Sequence, residues 1–296
     1  MKRKILIMGG TSYIGDALFK KIPGSMRTYH KKQVKDGIYF DALSSDLQPI
    51  LKSSNFSHAV ILLGDTNPDS CAKDIVRSNK LNVESIKSII DALVDNGIKP
   101  VFASSQFIFD GKKGSYAESD VPSPILTYGR QKVAIEAYLK KKVPDHIIIR
   151  ISKAFGKTLG DNTLFTSWID DISANKKIYL AADQIFSPIL IDDLVEGINI
   201  LLAQDATGVF NLCGTRSHSR LEFFEMLLRH LNDHKPAKAD IVKCSINDFP
   251  LVEKRPLDVS MKPDKIIGHG LNLHDTDDIC ENIVIDYIKR ERWIAS

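Results

Sequence analysis

A glycine-rich turn near the start of the chain constrains the fold more than any other feature of this sequence. The apolar run Lys4–Met8 leads into Gly9–Gly15, and Asp16–Ile22 follows with a helical pattern. A buried strand, a tight glycine turn and a helix in this order form the first unit of an open α/β sheet. The free N–H groups and the dipole at such a helix N-terminus attract a diphosphate. The turn therefore predicts a dinucleotide-binding domain.

The spacing within this turn departs from the usual fingerprint at one position. Glycines occupy positions 9 and 15, whereas Ser12 stands where the middle glycine is usual. Ser12 either donates its hydroxyl to a phosphate or only occupies the turn. The predicted cofactor contacts in this segment are Gly9, Thr11, Ser12, Tyr13, Ile14 and Gly15.

Strand-like and helix-like segments alternate through the first half of the chain. Further strands are predicted at 25–29, 38–41, 58–64, 99–105 and 145–150, and helices at 71–96 and 128–139. This alternation predicts an α/β fold with a Rossmann-like, doubly wound parallel sheet and right-handed crossovers.

The second half of the chain has a looser pattern and no second glycine fingerprint. Its predicted elements are helices at 162–174, 191–203, 220–231 and 277–293, a turn-rich segment at 183–188 and a short strand at 208–212. This pattern favours a smaller C-terminal substrate-binding cap. We expect a Rossmann domain over 1–152 and about 189–211, and the cap over 153–188 and 212–296.

The end of the second predicted strand indicates which dinucleotide binds. Arg27, His30, Lys31 and Lys32 lie there, without an acidic residue. A carboxylate at this place holds the ribose 2′-hydroxyl of NAD, whereas a basic residue suits the 2′-phosphate of NADP. The pattern favours NADP, with NAD possible. The alternative is that these residues are solvated surface charges.

Other positions near the carboxyl edge of the predicted sheet are further candidates. Asp41 either lies near the adenine side of the cleft or caps a turn. Leu63 and Gly64 end the fourth strand, where an open α/β sheet binds ligands, and are expected to contact the cofactor. Asn82 either bridges helix and strand or touches the active site.

A tyrosine and a lysine four residues apart are the strongest catalytic candidates. Tyr128 and Lys132 lie at the start of a helix, so both can point into the same cleft. A phenol has a pKa of about 10, and a nearby ammonium lowers it. Ser105 ends the fifth strand and supplies a second hydroxyl for a carbonyl, with Ser104 in reserve.

The bulk properties exclude several classes of protein. A net charge of +3 without a long basic run argues against nucleic acid, and no apolar run approaches the ~20 residues of a membrane span. Four widely spaced cysteines indicate reduced thiols in a cytoplasmic protein without a zinc site. The segment Met1–Met8 has too short an apolar run for a signal peptide. His230 and His234 are interpreted as a charged helix end, not a metal pair.

Taken together, these motifs resemble the extended branch of the short-chain dehydrogenase/reductases, and within it the dTDP-4-dehydrorhamnose reductase family. Residues 104–111, Ser-Ser-Gln-Phe-Ile-Phe-Asp-Gly, are similar to the family's Ser-Thr-Asp-Tyr-Val-Phe-Asp-Gly. Residues 128–132, Tyr-Gly-Arg-Gln-Lys, match its Tyr-Gly-x-x-Lys. The segments 183–188 and 193–194 and Arg255-Pro256 also match, so the resemblance spans about residues 5–256.

The resemblance implies a reductase in which NADPH gives hydride to the C4 ketone of a nucleotide-linked 4-keto-6-deoxy sugar. By this analogy Tyr128 protonates the developing alkoxide and Ser105 binds the carbonyl oxygen. Lys132 holds the nicotinamide ribose and lowers the tyrosine pKa. The substrate contacts that it implies are Ser104, Gln106, Lys153 and Arg255.

Two departures from the family pattern bear on the identity of the sugar. The family's Asp-Tyr is Gln106-Phe107, and its Arg-Thr-Ser-Trp is Arg150-Ile151-Ser152-Lys153. Lys153 binds a diphosphate or a carboxylate, or is simply exposed. The alternatives are an epimerase or dehydratase of the same branch, and an NADP-binding regulatory subunit such as that of methionine adenosyltransferase. A homodimer is a further expectation from the superfamily.

Overall fold

The computed structural model describes the backbone of residues 4–295 and the side chains of residues 4–291. Met1, Lys2 and Arg3, on which the signal-peptide argument partly rests, lie outside these residues. The strands are β1 (Lys4–Met8), β2 (Met26–Tyr29), β3 (Gly37–Tyr39), β4 (Phe56–Ile61), β5 (Lys99–Ser105), β6 (Ile147–Ile151), β7 (Ala154–Phe155), β8 (Lys177–Ala181), β9 (Ile185–Phe186), β10 (Ile189–Leu190), β11 (Gly208–Leu212), β12 (His218–Ser219) and β13 (Asp240–Cys244). The helices are α1 (Tyr13–Lys21), α2 (Gln48–Lys52), α3 (Pro68–Lys73), α4 (Ile75–Asn79), α5 (Ser85–Asp95), α6 (Thr127–Lys142), α7 (Leu164–Ser173), α8 (Ile191–Ala203), α9 (Arg220–His234), α10 (Asp264–Gly268) and α11 (Thr276–Ala295).

In the described part of the chain, seven strands form one parallel sheet in the spatial order β11-β6-β5-β4-β1-β2-β3. The chain moves outward from β1 to β3 on one side and from β4 to β11 on the other. The strand order therefore reverses between β1 and β4, and open α/β sheets bind ligands at the carboxyl ends of the strands at such a reversal. The predicted doubly wound α/β fold is confirmed.

Helices cover both faces of this sheet, which explains the continuous apolar runs of its central strands. Helices α1 and α8 bury Leu18 and Ile198 on one face against Ile7. Helix α5 buries Ile90 on the other face against Leu6. Leu6 and Ile7 are neighbours in β1, and successive strand side chains point to opposite faces.

The cap region has a hydrophobic core of its own, built mainly from α7, α9 and α11. Four aromatic rings pack edge to face there, with centroid distances between 5.4 and 5.9 Å: Phe165, Trp168, Phe223 and Phe224. A parallel pair of strands, β8 and β13, forms part of this region. Neither strand was predicted from the sequence, because each is stabilised by a partner far away in the chain.

The division between the two regions differs from the predicted one in one segment. Ile266 of α10 and Leu271 lie inside the predicted cap range, yet both are buried in the core of the Rossmann region with Phe210 of β11. These apolar side chains pack against the edge of the sheet, and the domain boundaries as a whole stay a prediction.

The long helix predicted over 71–96 is interrupted. Asp74 leaves the helical conformation, with φ −137° and ψ 81°. Its carboxylate accepts a hydrogen bond from the backbone N–H of Arg77 and so caps a new helix that begins at Ile75. A π-helical turn over Lys80–Glu84 then joins α4 to α5. Such turns are frequent at functional sites, and this one carries Asn82.

Candidate active site

One cavity of about 540 Å³ lies at the carboxyl ends of β1, β4 and β5, beneath the cap. It extends from the glycine turn to the tyrosine helix and on to the cap. Its lining residues include most of the predicted site: Ser12, Tyr13, Ile14, Leu63, Ser104, Ser105, Gln106, Tyr128, Lys132 and Lys153.

Ser105, Tyr128 and Lys132 converge in this cavity. The first turn of α6 places the tyrosine and the lysine on one face, and Tyr128 and Ser105 both line the cavity. Lys132 Nζ lies 5.6 Å from the centroid of the Tyr128 ring and donates to the Ala103 carbonyl at 2.7 Å. Helix α6 can pack this closely against the loop after β5 because position 129 is glycine. A Cβ there would lie 2.0 Å from the Phe107 carbonyl oxygen.

Burial governs the titration of these groups. It raises the pKa of the Tyr128 phenol above its ordinary value, and the hydrogen bond with Ser105 only partly opposes this. Burial also lowers the pKa of Lys132 to about 8. Removal of the phenolate from water outweighs the lowering by Ser105. That Lys132 lowers the phenol pKa stays a prediction.

A buried ion pair joins α6 to β6 beside these residues. Glu136 of α6 accepts from Arg150 of β6, with Nε to Oε1 at 3.2 Å and Nη2 to Oε2 at 2.9 Å. Ser104 Oγ donates to the same carboxylate at 2.6 Å. The predicted substrate contact Ser104 therefore reaches the cavity wall, but its hydroxyl hydrogen is used to tie β5 to α6.

The glycine turn forms a tight cradle at the N-terminus of α1. Ser12 Oγ accepts from the backbone N–H of Gly15 at 3.1 Å and donates to the Gly9 carbonyl at 2.8 Å. A Cβ on Gly15 would lie 2.4 Å from the Gly9 oxygen, so only glycine fits there. Of the two interpretations of Ser12, the structure favours the turn, in which the serine caps the helix.

The basic residues at the end of β2 have different roles. Arg27 is partly buried, donates to Asp16 at 2.8 Å and stacks over the Phe19 ring at 4.1 Å. This geometry holds Arg27 beneath the glycine turn. His30 is more exposed and lies 4.0 Å from Asp41.

Asp41 and Asn82 both make contacts that favour the structural interpretation. The Asp41 carboxylate accepts from the backbone N–H of Leu43 at 3.0 Å and from Ser44 Oγ at 2.8 Å, as in a turn cap. Asn82 Nδ2 donates to the Asp65 carbonyl at 2.9 Å and to Gln131 Oε1 at 2.8 Å. It thereby bridges the β4 loop and α6.

Gly64 is held against this bridge. Its φ of +132° is a backbone conformation that residues with a side chain rarely adopt, and a Cβ at this position would lie 2.8 Å from Asn82 Oδ1. The asparagine and the glycine together fix the path of the chain after β4, so that Leu63 lines the cavity.

The end of the cavity away from the glycine turn is formed by the loop after β6 and by the cap. Ser152 Oγ donates to Gln106 Oε1 at 2.6 Å, so a serine that matches the family pattern holds a glutamine that departs from it. Lys153 follows, and Arg220 approaches from the start of α9. Arg220 was not predicted from the sequence as a site residue. A basic residue in the first turn of a helix interacts unfavourably with the helix dipole, and this unusual position was the signal that could have indicated a functional role.

Arg255 lies elsewhere. It is nearly buried, pairs with Asp69 of α3 at 2.9 Å and donates to the Glu253 carbonyl at 2.9 Å. Arg255 does not line the cavity. The structure therefore gives this predicted substrate contact the role of joining the cap to the Rossmann region, because its guanidinium is already engaged by a carboxylate.

Glu253 also joins the cap to the Rossmann region, at the N-terminus of α6. The Glu253 carboxylate accepts from the Thr127 backbone N–H at 2.9 Å and from Thr127 Oγ1 at 2.8 Å. Leu126, at the N-cap of α6, makes no capping bond with its side chain. Glu253, which is distant in the sequence, therefore caps α6 at Thr127, the residue before Tyr128.

The other candidates from the sequence give no second site. Among the described residues, no cluster of three His, Cys, Asp or Glu is arranged to hold a metal ion. His230 Nε2 lies 2.8 Å from a carboxylate oxygen of Asp277. In residues 4–295, no helix is long and apolar enough to span a bilayer.

This fold and this cavity define a class of protein. A Rossmann-like sheet with a hydroxyl at the end of β5, and with Tyr128 and Lys132 on the following helix, is the architecture of an extended short-chain dehydrogenase/reductase. Within that class the chain belongs to the RmlD substrate binding domain family, whose model matches residues 3–275. The predicted family is confirmed.

Individual relatives agree with this assignment. The chain is 24% identical over 277 residues to a dTDP-4-dehydrorhamnose reductase of Aggregatibacter actinomycetemcomitans, covering 89% of this chain and 92% of that protein. A crystal structure of dTDP-4-dehydrorhamnose reductase from Bacillus anthracis in complex with NADP superposes with a TM-score of 0.83 at 23% identity, covering 97% and 100% of the two chains. The methionine adenosyltransferase 2 subunit beta of Danio rerio is 22% identical over 160 residues, covering 52% of this chain and 49% of that protein.

Proposed function

We propose that the protein is an NADPH-dependent reductase that acts on the C4 ketone of a nucleotide-linked 4-keto-6-deoxy sugar. The observation that carries this proposal is the convergence of Ser105, Tyr128 and Lys132 in one cavity continuous with the glycine turn. Membership of the RmlD family supports the same substrate class, as do relatives named for this reaction.

The dinucleotide fits the residues that are present. The turn Gly9–Gly15 at the N-terminus of α1 suits a diphosphate. The same cavity continues from Ser12 to Lys132, and we propose that Lys132 holds the nicotinamide ribose. Bound NADPH supplies hydride. Since Arg27 is engaged by Asp16, we propose His30 and Lys32 for the 2′-phosphate.

The chemistry of the chain follows from the titration of the tyrosine. A phenol with the ordinary pKa of about 10 is protonated at neutral pH, and burial raises the pKa of Tyr128 further, so it enters the reaction as an acid. It donates this proton to the oxygen that becomes negative as the ketone is reduced, while Ser105 donates a hydrogen bond to the same oxygen. Both donors act most strongly on charge that develops in the transition state. Lys132 then stands beside the phenolate that has formed.

The test is a titration of cofactor-free protein with NADPH and NADH, followed by NADPH oxidation with dTDP-, UDP- and GDP-linked 4-keto sugars. Tyr128→Phe should bind NADPH normally and lower kcat about 100- to 10,000-fold, because a general acid is removed. Tyr179→Phe, at an exposed tyrosine of the cap, is the matched control. Full turnover of Tyr128→Phe would refute the proposal.

The same experiment separates the alternatives. An epimerase or dehydratase would convert a sugar without net loss of NADPH, and Gln106 argues against a dehydratase because it does not ionise. A regulatory subunit would bind NADP and give no turnover with any sugar. The homodimer and the cytoplasmic location stay predictions from the sequence.

A further inference from the structure

The cavity is lined by three cationic side chains, whereas no aspartate or glutamate is among its described lining residues. One of the cations, Lys132, belongs to the catalytic group and is held by the Ala103 carbonyl. The other two, Lys153 and Arg220, lie at the cap end and repel each other. Like charges in a partly enclosed space cost free energy unless an anion joins them.

Arg220 is fixed in place by its neighbours. Its Nε donates to Gln184 Oε1 at 2.8 Å, and its guanidinium carbon lies 5.5 Å from the centroid of the Phe186 ring. Neither contact neutralises its charge, and among the described residues no hydrogen-bond partner is found for its Nη nitrogens. A guanidinium fork held in this way suits the two oxygens of a carboxylate.

Lys153 lies close to the reacting centre. In the register of β5 and β6, Ser105 is opposite Ile151, so Lys153 is only two residues, or ~7 Å, beyond the catalytic serine along the strand direction. The hydrogen bond between Ser152 and Gln106 fixes this loop beside the serine. Lys153, although exposed to solvent, therefore lines the cavity close to Ser105.

We propose that Lys153 and Arg220 form a subsite for a carboxylate carried by the sugar of the substrate. The substrate is then a nucleotide-linked keto sugar with an acidic substituent. This inference rests on the proposed function, because the cavity must first accept a nucleotide sugar. The substrate diphosphate is the other oxyanion that two cations could bind, and the experiment separates the two sources.

The experiment measures binding by calorimetry to protein incubated with NADP⁺, using two pairs of probes. UDP-glucuronate and UDP-glucose differ by one carboxylate on the ring, and UDP-N-acetylmuramate and UDP-N-acetylglucosamine by one carboxylate on an ether substituent. Within at least one pair, the acidic probe should bind about 10- to 100-fold more tightly, as expected for charge-assisted hydrogen bonds. No turnover is needed, so failure of this inference is distinct from failure of the proposed reductase activity.

Variants assign the preference to the cations. Lys153→Met should reduce it at least severalfold, and Lys153→Arg should retain it. Lys243→Met is the matched control, since this lysine lies on the cap surface near Glu225, at 3.6 Å.

Two results would overturn the proposal. Equal affinities within both pairs, including no binding by any probe, would remove the carboxylate subsite. Equal weakening of acidic and neutral probes by Lys153→Met would assign the lysine to the diphosphate.

Discussion

Replacing Glu136 by glutamine should strongly destabilise the fold, because it removes a charge from the interior behind the catalytic residues. Glu136 is 1% exposed and its partner Arg150 is 0% exposed. Glutamine keeps the shape and one acceptor oxygen, but its amide group would face a donor of the guanidinium. Arg150 would retain only the Glu118 carbonyl, at 3.1 Å, as an unchanged acceptor.

The expected magnitude follows from this loss of the counter-charge. Removing one partner of a buried ion pair costs about 3–5 kcal/mol, and the retained acceptors place Glu136→Gln at about 3 kcal/mol. This is roughly a fifth to three fifths of the stability of a typical domain. Urea unfolding followed by far-ultraviolet circular dichroism measures this change. Glu281→Gln, at an exposed position of α11, is the matched control.

Two further measurements sharpen the test. Combining Glu136→Gln with Arg150→Met should cost less than the sum of the single changes, because the charge stranded by the first is absent in the double variant. Burial raises the pKa of Glu136, but the hydrogen bonds and charge of Arg150 outweigh it and the net pKa is lowered. This carboxylate therefore stabilises the wild type above its unfolded pKa of about 4.3, and the contribution is lost as pH falls through the folded value. A loss below 1 kcal/mol, or strict additivity in the double variant, would refute the reasoning.

Two other variants test the site. Ser105→Ala should lower kcat about 100- to 1,000-fold, as for other lost oxyanion donors, while fluorescence titration shows unchanged NADPH affinity; a normal kcat would remove Ser105 from the chemistry. Glu253→Gln weakens the cap on the Thr127 N–H and should cost about 1 kcal/mol in urea unfolding. Since the first turn of α6 carries Tyr128, kcat should fall with it, and unchanged stability and kcat would contradict the capping role.

The sequence predicted the features that depend on local spacing. The glycine turn, the strand that ends in Ser105 and the four-residue spacing of Tyr128 and Lys132 each specify their own geometry, because sheet and helix periodicity fix where their side chains point. The alternation of strands and helices specified the parallel sheet in the same way. These residues meet in the cavity as expected.

Features that depend on a distant partner were beyond prediction from one sequence. Nothing near Arg255 announces Asp69, and nothing near Ser104 announces that Glu136 takes its hydroxyl hydrogen. The direction of the Tyr128 pKa also depends on burial, which the lysine four residues away does not reveal.

The contact at Gly129 has a consequence for recognising distant relatives of this protein. Of the positions between the tyrosine and the lysine, Arg130 is exposed, whereas a Cβ at 129 would collide with the Phe107 backbone. A chain that replaces this glycine must also reroute the loop after the fifth strand, so the two changes should occur together. A search pattern that requires Tyr-Gly-x-x-Lys thus selects for the path of a neighbouring loop as well as for two reactive side chains.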